Sequence, residues 1–153
     1  MRNLELLIPP PVVAVVSAVA VLVTARYDPL VHASFSAQWI VALVIVAVGS
    51  AVSFLGMFEF ARARTTINPL APGSTTTIVS TGVYRLSRNP MYLGLALVIL
   101  GLAIWQSALV GYPLVIGFCA YLTRFQIIPE ERILLARFGP EFSQYMGAVR
   151  RWL

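Results

Sequence analysis

Long apolar runs alternate with short polar stretches along this 153-residue chain. Residues 6–25 and 37–58 carry no charge, and residues 89–123 form a third uncharged run. As one helix, that third run would be roughly 52 Å long, well beyond a bilayer hydrocarbon core of about 30 Å. It must therefore fold back on itself, and the turn-forming residues at 106–107 and 111–113 mark where it does so.

The apolar pattern predicts four transmembrane helices, the last two forming a tight hairpin, at about residues 6–25, 37–58, 90–106 and 109–124. Pro9, Pro10 and Pro11 fall in the first turn of the first span, where missing N–H groups cost least. That span lacks a small-x-small cleavage site, so it is interpreted as a mature helix rather than a signal peptide. The predicted fold is an all-α integral membrane protein with one domain over residues 1–153, a cytoplasmic loop and an amphipathic C-terminal helical tail.

Composition supports a membrane protein, and the placement of charge sets its orientation. Hydrophobic residues make up 59% of the chain, charged residues 11%, and the mean hydropathy is +0.84, which is too apolar for a soluble domain. The net charge is +5, and ten of the eleven arginines lie near the N-terminus (Arg2), around the loop at 59–88 or after the fourth span; Arg26, between the first two spans, is the exception. The positive-inside rule then places this loop and both termini in the cytoplasm, for example at a bacterial inner membrane. This distribution argues against a nucleic-acid partner, and a single cysteine, Cys119, excludes an intrachain disulfide.

Two predicted cytoplasmic segments, residues 60–94 and 124–153, contain most of the polar residues. The first has many threonines, prolines and glycines, and a connection of this length is usually functional or disordered. In the second, Pro129 suits the first position of a helix, with Glu130 and Glu131 in its first turn. Gly139 and Pro140 predict the end of that helix and the start of another.

The stretch "YRLSRNPMYLG" at 84–94 has two interpretations. Asn89 and Pro90 are a good N-cap and first residue for the third span, and a capped helix held at the headgroups by arginines explains them fully. A helix N-terminus also attracts anions. Together with the long loop and the paired glutamates on the same side of the membrane, it favours a site for a zwitterionic, cationic cofactor.

These motifs resemble a known family. "STGVYRLSRNPMYLG", followed about 36 residues later by "PEERILLARFGPEFSQY", is similar to the membrane methyltransferases typified by isoprenylcysteine carboxyl methyltransferase and to the related phospholipid N-methyltransferases. The resemblance covers residues 60–153 and implies S-adenosylmethionine as cofactor, with S-adenosylhomocysteine as product. It implies that the cofactor-binding residues are Thr76, Thr77, Ile78, Val79, Tyr84, Asn89, Pro90, Met91, Tyr92, Glu130 and Glu131.

The chain departs from the family pattern at two positions. Asn89 stands where the eukaryotic enzymes have histidine, so a proton-transfer role there is not expected. Gln126 stands where the isoprenylcysteine enzymes use an arginine for the substrate carboxylate, and Arg124, two residues away, is the alternative. Arg124 and Gln126 are therefore the candidate substrate-binding residues, and the departure argues against an isoprenylcysteine substrate.

The expected reaction is methyl transfer to a lipophilic acceptor, a carboxylate, thiol or amine that enters from the bilayer. Such a displacement depends on alignment and a dry site, so no catalytic residue is assigned. The chain has one histidine, His32, on the predicted outer loop, and no metal site is expected. The alternatives are a four-helix multidrug-type transporter, a nicotinamide-dependent lipid reductase and a structural subunit, and the oligomeric state is left open. A transporter of this kind needs an acidic residue within a span, and the predicted spans contain none.

Overall fold

A computed structural model describes residues 5–27, 35–65, 68 and 72–153; Arg2 and His32 lie outside this part of the chain. All regular elements among the described residues are helical, as predicted. The α-helices are α1 Pro10–Tyr27, α2 Gln38–Arg62, α3 Pro90–Trp105, α4 Gly111–Leu122, α5 Ile128–Phe138 and α6 Pro140–Ala148. Short 3₁₀ turns, Pro72–Ser74 and Gly82–Arg85, lie between α2 and α3, and a π-helix, Thr123–Ile127, joins α4 to α5.

Within the described part of the chain, two helices are long and apolar enough to cross a membrane: α1, with 18 residues, and α2, with 25. Their outward faces are apolar, since Val15 is 63% exposed and Phe54 is 68% exposed. Surfaces of this kind suit contact with lipid. Helix α3 is also apolar but has 16 residues, and α4 has 12 before the π-helix begins. The four-span topology therefore stays a prediction.

The polar segments gather at one end of the helices, which we call the polar end. There the Leu6 N–H near the start of α1 donates to the Phe125 carbonyl after α4, at 2.9 Å. The loop after α2 leads directly to the start of α3 at this end. At the opposite end, Gln38 at the start of α2 donates to the hydroxyl of Ser107, which follows α3, at 2.7 Å. Consecutive helices thus run in alternating directions.

Small residues let α2 and α3 pack with their backbones close together. A Cβ atom added to Gly49 would lie 2.7 Å from the Gly94 carbonyl oxygen, and one added to Gly94 would lie 2.9 Å from the Ser53 nitrogen. The Ser53 hydroxyl also donates to the Met91 carbonyl at 3.1 Å. Close packing of small residues is the usual means by which helices associate in lipid. Gly94, near the start of α3, therefore admits a neighbouring helix.

Substituting alanine for Gly94 should destabilise the protein by about 1–3 kcal/mol, because the added methyl group meets backbone atoms of α2 that cannot move without separating the helices. The measurement is the thermal midpoint of the purified protein in detergent. Gly117→Ala is the matched control, since a Cβ at Gly117 on α4 would meet nothing within 4 Å. Equal midpoints for the two variants would contradict the close α2–α3 contact.

The sequence predicted that a helix begins at Pro129, and α5 begins at Ile128 with Pro129, Glu130 and Glu131 in its first turn. The sequence did not predict that helical backbone leads into α5 without a break from Gly111. A proline inside an α-helix cannot donate to the carbonyl four residues earlier, and its ring clashes with that carbonyl. For Pro129 the affected carbonyl belongs to Phe125, within the π-helix, and it accepts the Leu6 N–H instead. The wider π-helical turn thus accommodates Pro129 without ending the helix.

Candidate functional site

A pocket opens at the polar end, between the start of α3, the helix α5, the loop after α2 and the helix α6. It contains about 810 Å³ of space, including the part that is open to solvent. The pocket is lined by Phe60, Asn68, Pro72, Thr75, Thr77, Ile78, Val79, Tyr84, Arg88, Asn89, Met91, Tyr92, Glu130, Glu131, Leu134, Phe142 and Tyr145.

Most of the predicted cofactor-binding residues lie on this pocket, although they come from three separate segments. The structure brings together Thr77, Ile78, Val79, Tyr84, Asn89, Met91, Tyr92, Glu130 and Glu131. Thr76 and Pro90 are not among the lining residues. Thr76 is exposed and its N–H donates to the Thr65 hydroxyl at 2.9 Å, while Pro90 is fully buried and packs near Gly56 of α2.

Glu130 accepts hydrogen bonds from neutral groups. The Tyr92 hydroxyl donates to its Oε1 at 2.7 Å, and the Gln126 amide donates to the same oxygen. Burial raises the pKa of the Glu130 carboxyl to about 7, although both hydrogen bonds favour the charged form, and the nearby Glu131 also disfavours it. No cationic side chain among the described residues forms an ion pair with Glu130. It is therefore a carboxylate whose charge the surrounding protein does not neutralise.

The adjacent carboxylate, Glu131, is held by two arginines. Arg88 contacts its Oε1 at 2.8 Å, and Arg151 binds both oxygens, with its Nη2 2.7 Å from Oε2. The Glu131 and Arg88 side chains are only 11% and 10% exposed. Adjacent helix residues point about 100° apart, which is why these two glutamates meet different partners. Glu131 thus joins α5 to Arg88, just before α3, and to the C-terminal tail.

Asn89 occupies the N-cap position of α3, but its side chain does not cap the helix. Its amide donates instead to the Arg151 carbonyl at 2.9 Å. The Arg88 N–H likewise donates to the Arg150 carbonyl at 3.0 Å, so the tail runs directly against the start of α3. The predicted side-chain cap was wrong because the tail offers the Asn89 amide a carbonyl that the sequence pattern does not reveal.

The two candidate substrate-binding residues do not line the pocket. Gln126 is only 2% exposed, and its amide is engaged with Glu130. The Arg124 side chain is 45% exposed and pairs with Glu5 at 3.2 Å on the outside of the protein. Arg132 pairs with the same carboxylate, also at 3.2 Å. Arg124 therefore forms its ion pair with the segment that precedes α1 and does not face the pocket.

Tight packing against α2 and α6 positions the loop residue Tyr84. Gly82 has a φ of +55°, and a side chain there would collide with Glu59 at the end of α2, so glycine is required at this turn. The Tyr84 ring packs edge-on against Phe60 at 5.5 Å, and its carbonyl accepts the Tyr145 hydroxyl at 2.8 Å. Burial raises the pKa of Tyr84 and that of Tyr145, the latter to about 12, so both hydroxyls stay neutral near pH 7.

Comparison with known proteins identifies the family. A family model described as phospholipid methyltransferase matches residues 37–141, from the start of α2 to the start of α6. The chain belongs to the phospholipid methyltransferase family. An uncharacterised protein of Haemophilus influenzae is 40% identical over 63 residues, which are 41% of this chain and the whole of that protein. No solved structure matches the chain.

Membership in the phospholipid methyltransferase family confirms the coarser part of the resemblance, a membrane methyltransferase family with lipid-type substrates. The narrower likeness to isoprenylcysteine carboxyl methyltransferase stays a prediction. The matched residues include the pocket walls formed by α2, α3, the loop and α5. The last residues of the tail lie outside the match.

Several pocket residues were not among the predicted site residues. Arg88 is part of the recognised motif, yet only the structure shows that it meets Glu131. Leu134, Phe142 and Tyr145 lie in the second motif, but the resemblance did not mark them as site residues. Phe60, Asn68, Pro72 and Thr75 carry no sequence pattern of their own that indicates a site, since their positions depend on how the chain folds back after α2.

Proposed function

We propose that this protein transfers a methyl group from S-adenosylmethionine to a lipophilic acceptor at the cytoplasmic face of a membrane. The observation that carries the proposal is the unneutralised carboxylate of Glu130 on a pocket whose walls are otherwise mostly apolar. Family membership supports the methyltransferase class. The proposal adds the cofactor, its residues and the side of the membrane.

The polar groups of the pocket fit a zwitterionic amino acid. Glu130 can accept hydrogen bonds from an ammonium group. Arg88 offers the complementary charge: its Nε is buried and has no acceptor among the described residues, although the other guanidinium nitrogens bind Glu131 and the Met146 carbonyl. A buried donor without an acceptor is unusual in folded proteins. A carboxylate of a bound ligand would satisfy it.

The remaining walls suit a flat aromatic group. Phe60, Tyr84 and Phe142 supply rings, and Ile78 and Val79 supply aliphatic surface. The threonines Thr75 and Thr77 add hydroxyls at the edge of these walls. An apolar pocket with few placed polar groups is the common form of a cofactor site, and it fits an adenine ring with its ribose.

In this proposal the protein contributes alignment and exclusion of water. When bound, S-adenosylmethionine would supply a methyl group on a sulfonium: an acceptor's lone pair would attack the methyl carbon in line, the carbon–sulfur bond would break, and S-adenosylhomocysteine would leave. Glu130 and Arg88 fix one end of the cofactor and the aromatic walls fix the other, so that its position is set before the acceptor arrives. Tyr84 and Tyr145, both neutral, close the pocket without adding charge. No acid–base residue is assigned.

The proposed acceptor reaches the pocket from the bilayer. The pocket lies at the polar end of α2, α3 and α4, where these helices would leave the membrane. Arg124 and Gln126 are engaged with Glu5 and Glu130, so neither is proposed to bind the acceptor. This arrangement favours an acceptor that is a membrane lipid over a soluble acceptor that a charged side chain would bind.

The proposed topology has four spans and both termini in the cytoplasm. A reporter protein that is active only in the cytoplasm should therefore be active when it is fused after Leu153. A tag inserted near Ser34 should be accessible from outside intact cells. Alternating helix directions support this arrangement, since they place the loop and the tail on one side. An external C-terminus would contradict it, because the cofactor is cytosolic.

The test of the proposed function is calorimetry on the purified protein in lipid nanodiscs. S-adenosylhomocysteine should bind with one site per chain, while a reduced nicotinamide nucleotide should not bind. The opposite result would favour the lipid reductase. Binding of neither would contradict the cofactor assignment.

A further inference from the structure

Two neutral side chains hold the same oxygen of Glu130. The Tyr92 hydroxyl from α3 lies 2.7 Å from Oε1, and the Gln126 amide from the π-helix donates to that oxygen as well. The second oxygen, Oε2, accepts no hydrogen bond from the residues that the structure describes. Glu130 itself lines the pocket. One oxygen is thus anchored to the protein and the other is left for a ligand.

We propose that Tyr92 and Gln126 are positioning residues, which fix the Glu130 carboxylate through Oε1 and present Oε2 to the cationic end of the cofactor. This inference rests on the proposed function, since it takes Glu130 as a cofactor ligand. It assigns Gln126 a role inside the protein rather than contact with the acceptor.

The neutrality of the two donors is what makes them suitable. A hydroxyl and an amide stabilise a carboxylate by hydrogen bonding without cancelling its charge, whereas an arginine would form an ion pair and compete with a cationic ligand. The neighbouring Glu131 shows the contrast, because Arg88 and Arg151 occupy both of its oxygens. Of the two adjacent carboxylates, only Glu130 keeps an oxygen and a charge available.

The π-helix determines where Glu130 points. A π-helical turn contains about one residue more than an α-helical turn, so the residues after it are rotated by about 100° relative to a regular helix. Partners from outside support the segment. The Thr123 hydroxyl donates to the Cys119 carbonyl at 2.7 Å and accepts from the Trp152 indole at 3.1 Å, and Leu6 donates to Phe125. Gln126 therefore lies on a π-helical turn that hydrogen bonds to other parts of the chain stabilise.

The titration of Glu130 gives this inference a direct readout. The titratable and charged groups that surround it come from every element of the pocket, and they are Tyr92, Tyr84, Arg88, Glu131, Tyr145 and Arg151. Of these, Tyr92 donates to Glu130 itself, while Arg88 and Arg151 are bound to Glu131. Removing a donor from Oε1 should therefore raise the pKa of Glu130 with little compensation from other groups.

The experiment uses Tyr92→Phe and Gln126→Leu, with binding of S-adenosylhomocysteine measured by calorimetry at several pH values. Each variant should bind roughly 3- to 10-fold more weakly at pH 7, because Oε1 loses one hydrogen bond that fixes the carboxylate. Tyr121→Phe on α4 and Gln144→Leu on the exposed face of α6 are matched controls that should bind normally. In a Glu130→Gln background, Tyr92→Phe should cause little further loss.

A second readout does not depend on the ligand. Carboxyl carbon NMR of ¹³C-labelled glutamate follows the titration of Glu130 in the protein alone, and the resonance lost in Glu130→Gln identifies it. Both variants should move this titration to higher pH. An unmoved titration, or unchanged binding, would overturn the proposal. A moved titration in a protein that does not bind S-adenosylhomocysteine would support the positioning role and contradict the proposed function.

Discussion

Glu130→Gln is expected to weaken the binding of S-adenosylhomocysteine by about 1.5–3 kcal/mol, which is roughly 10- to 150-fold. Glutamine keeps the size of the side chain, so the pocket keeps its shape. It removes the charge that the protein leaves unneutralised, since the partners of Glu130 are the Tyr92 hydroxyl and the Gln126 amide. A neutral amide accepts a hydrogen bond from an ammonium group much less strongly than a carboxylate does.

The matched control is Glu141→Gln, which changes an exposed glutamate in the first turn of α6. It should leave binding unchanged. Equal losses in both variants would show that net charge, rather than the Glu130 site, governs affinity. Binding unchanged in Glu130→Gln would remove Glu130 from the cofactor site and with it the main support for the proposed function.

The affinity of the unmodified protein should depend on pH in a way that Glu130→Gln abolishes. Burial raises the pKa of Glu130 to about 7, so the carboxyl is increasingly protonated as the pH falls below that value. Because the charged form binds a cation, affinity should fall as the pH is lowered from about 8 to 6. The ligand's own α-amino group stays mostly protonated over this range, and any contribution it makes is what remains in the Glu130→Gln profile.

The local chemistry of the sequence predicted where the third helix begins. Pro90 is its first residue, because a proline fits a first turn and fixes the backbone angle there. At Pro129 the same reasoning gave the start of α5 to within one residue, but it did not predict that a π-helix joins α5 to α4 without a break. The difference arises from Leu6, more than a hundred residues earlier, whose N–H takes the carbonyl that the proline leaves free. A partner so distant in the chain cannot be found from local spacing.

In the candidate site too, some residues can be predicted from local motifs, and others only from contacts between distant parts of the chain. The family motifs include Tyr92 and Glu130, and the structure places them 2.7 Å apart between hydroxyl and carboxylate. The motif spacing also led to Gln126 as a substrate residue. The burial of Gln126 and its hydrogen bond to Glu130 depend on the π-helix, which no residue pattern in the sequence predicts. The contact between Arg151 of the tail and Glu131 likewise depends on long-range folding and follows from no local residue pattern.

Glu131→Gln is expected to destabilise the folded protein by about 2–4 kcal/mol. Removing one partner from a buried ion pair leaves the other charge buried and uncompensated, which typically costs about 3–5 kcal/mol. Two arginines lose their partner here, but the Arg151 side chain is 35% exposed and water can partly replace the carboxylate. The loss should therefore be somewhat smaller than for a fully buried cluster.

The chain provides its own control for this effect, because Glu5 also lies between two arginines, Arg124 and Arg132. Those arginine side chains are 45% and 56% exposed, so Glu5→Gln should lower the thermal midpoint far less than Glu131→Gln, which should lower it by on the order of 10 °C. Arg151→Met in the Glu131→Gln background should recover part of the loss, since it removes one of the two unpaired cations. If Glu5→Gln and Glu131→Gln lowered the midpoint equally, burial would not be what makes the Glu131 cluster important, and the tail would not be fixed to the pocket through it.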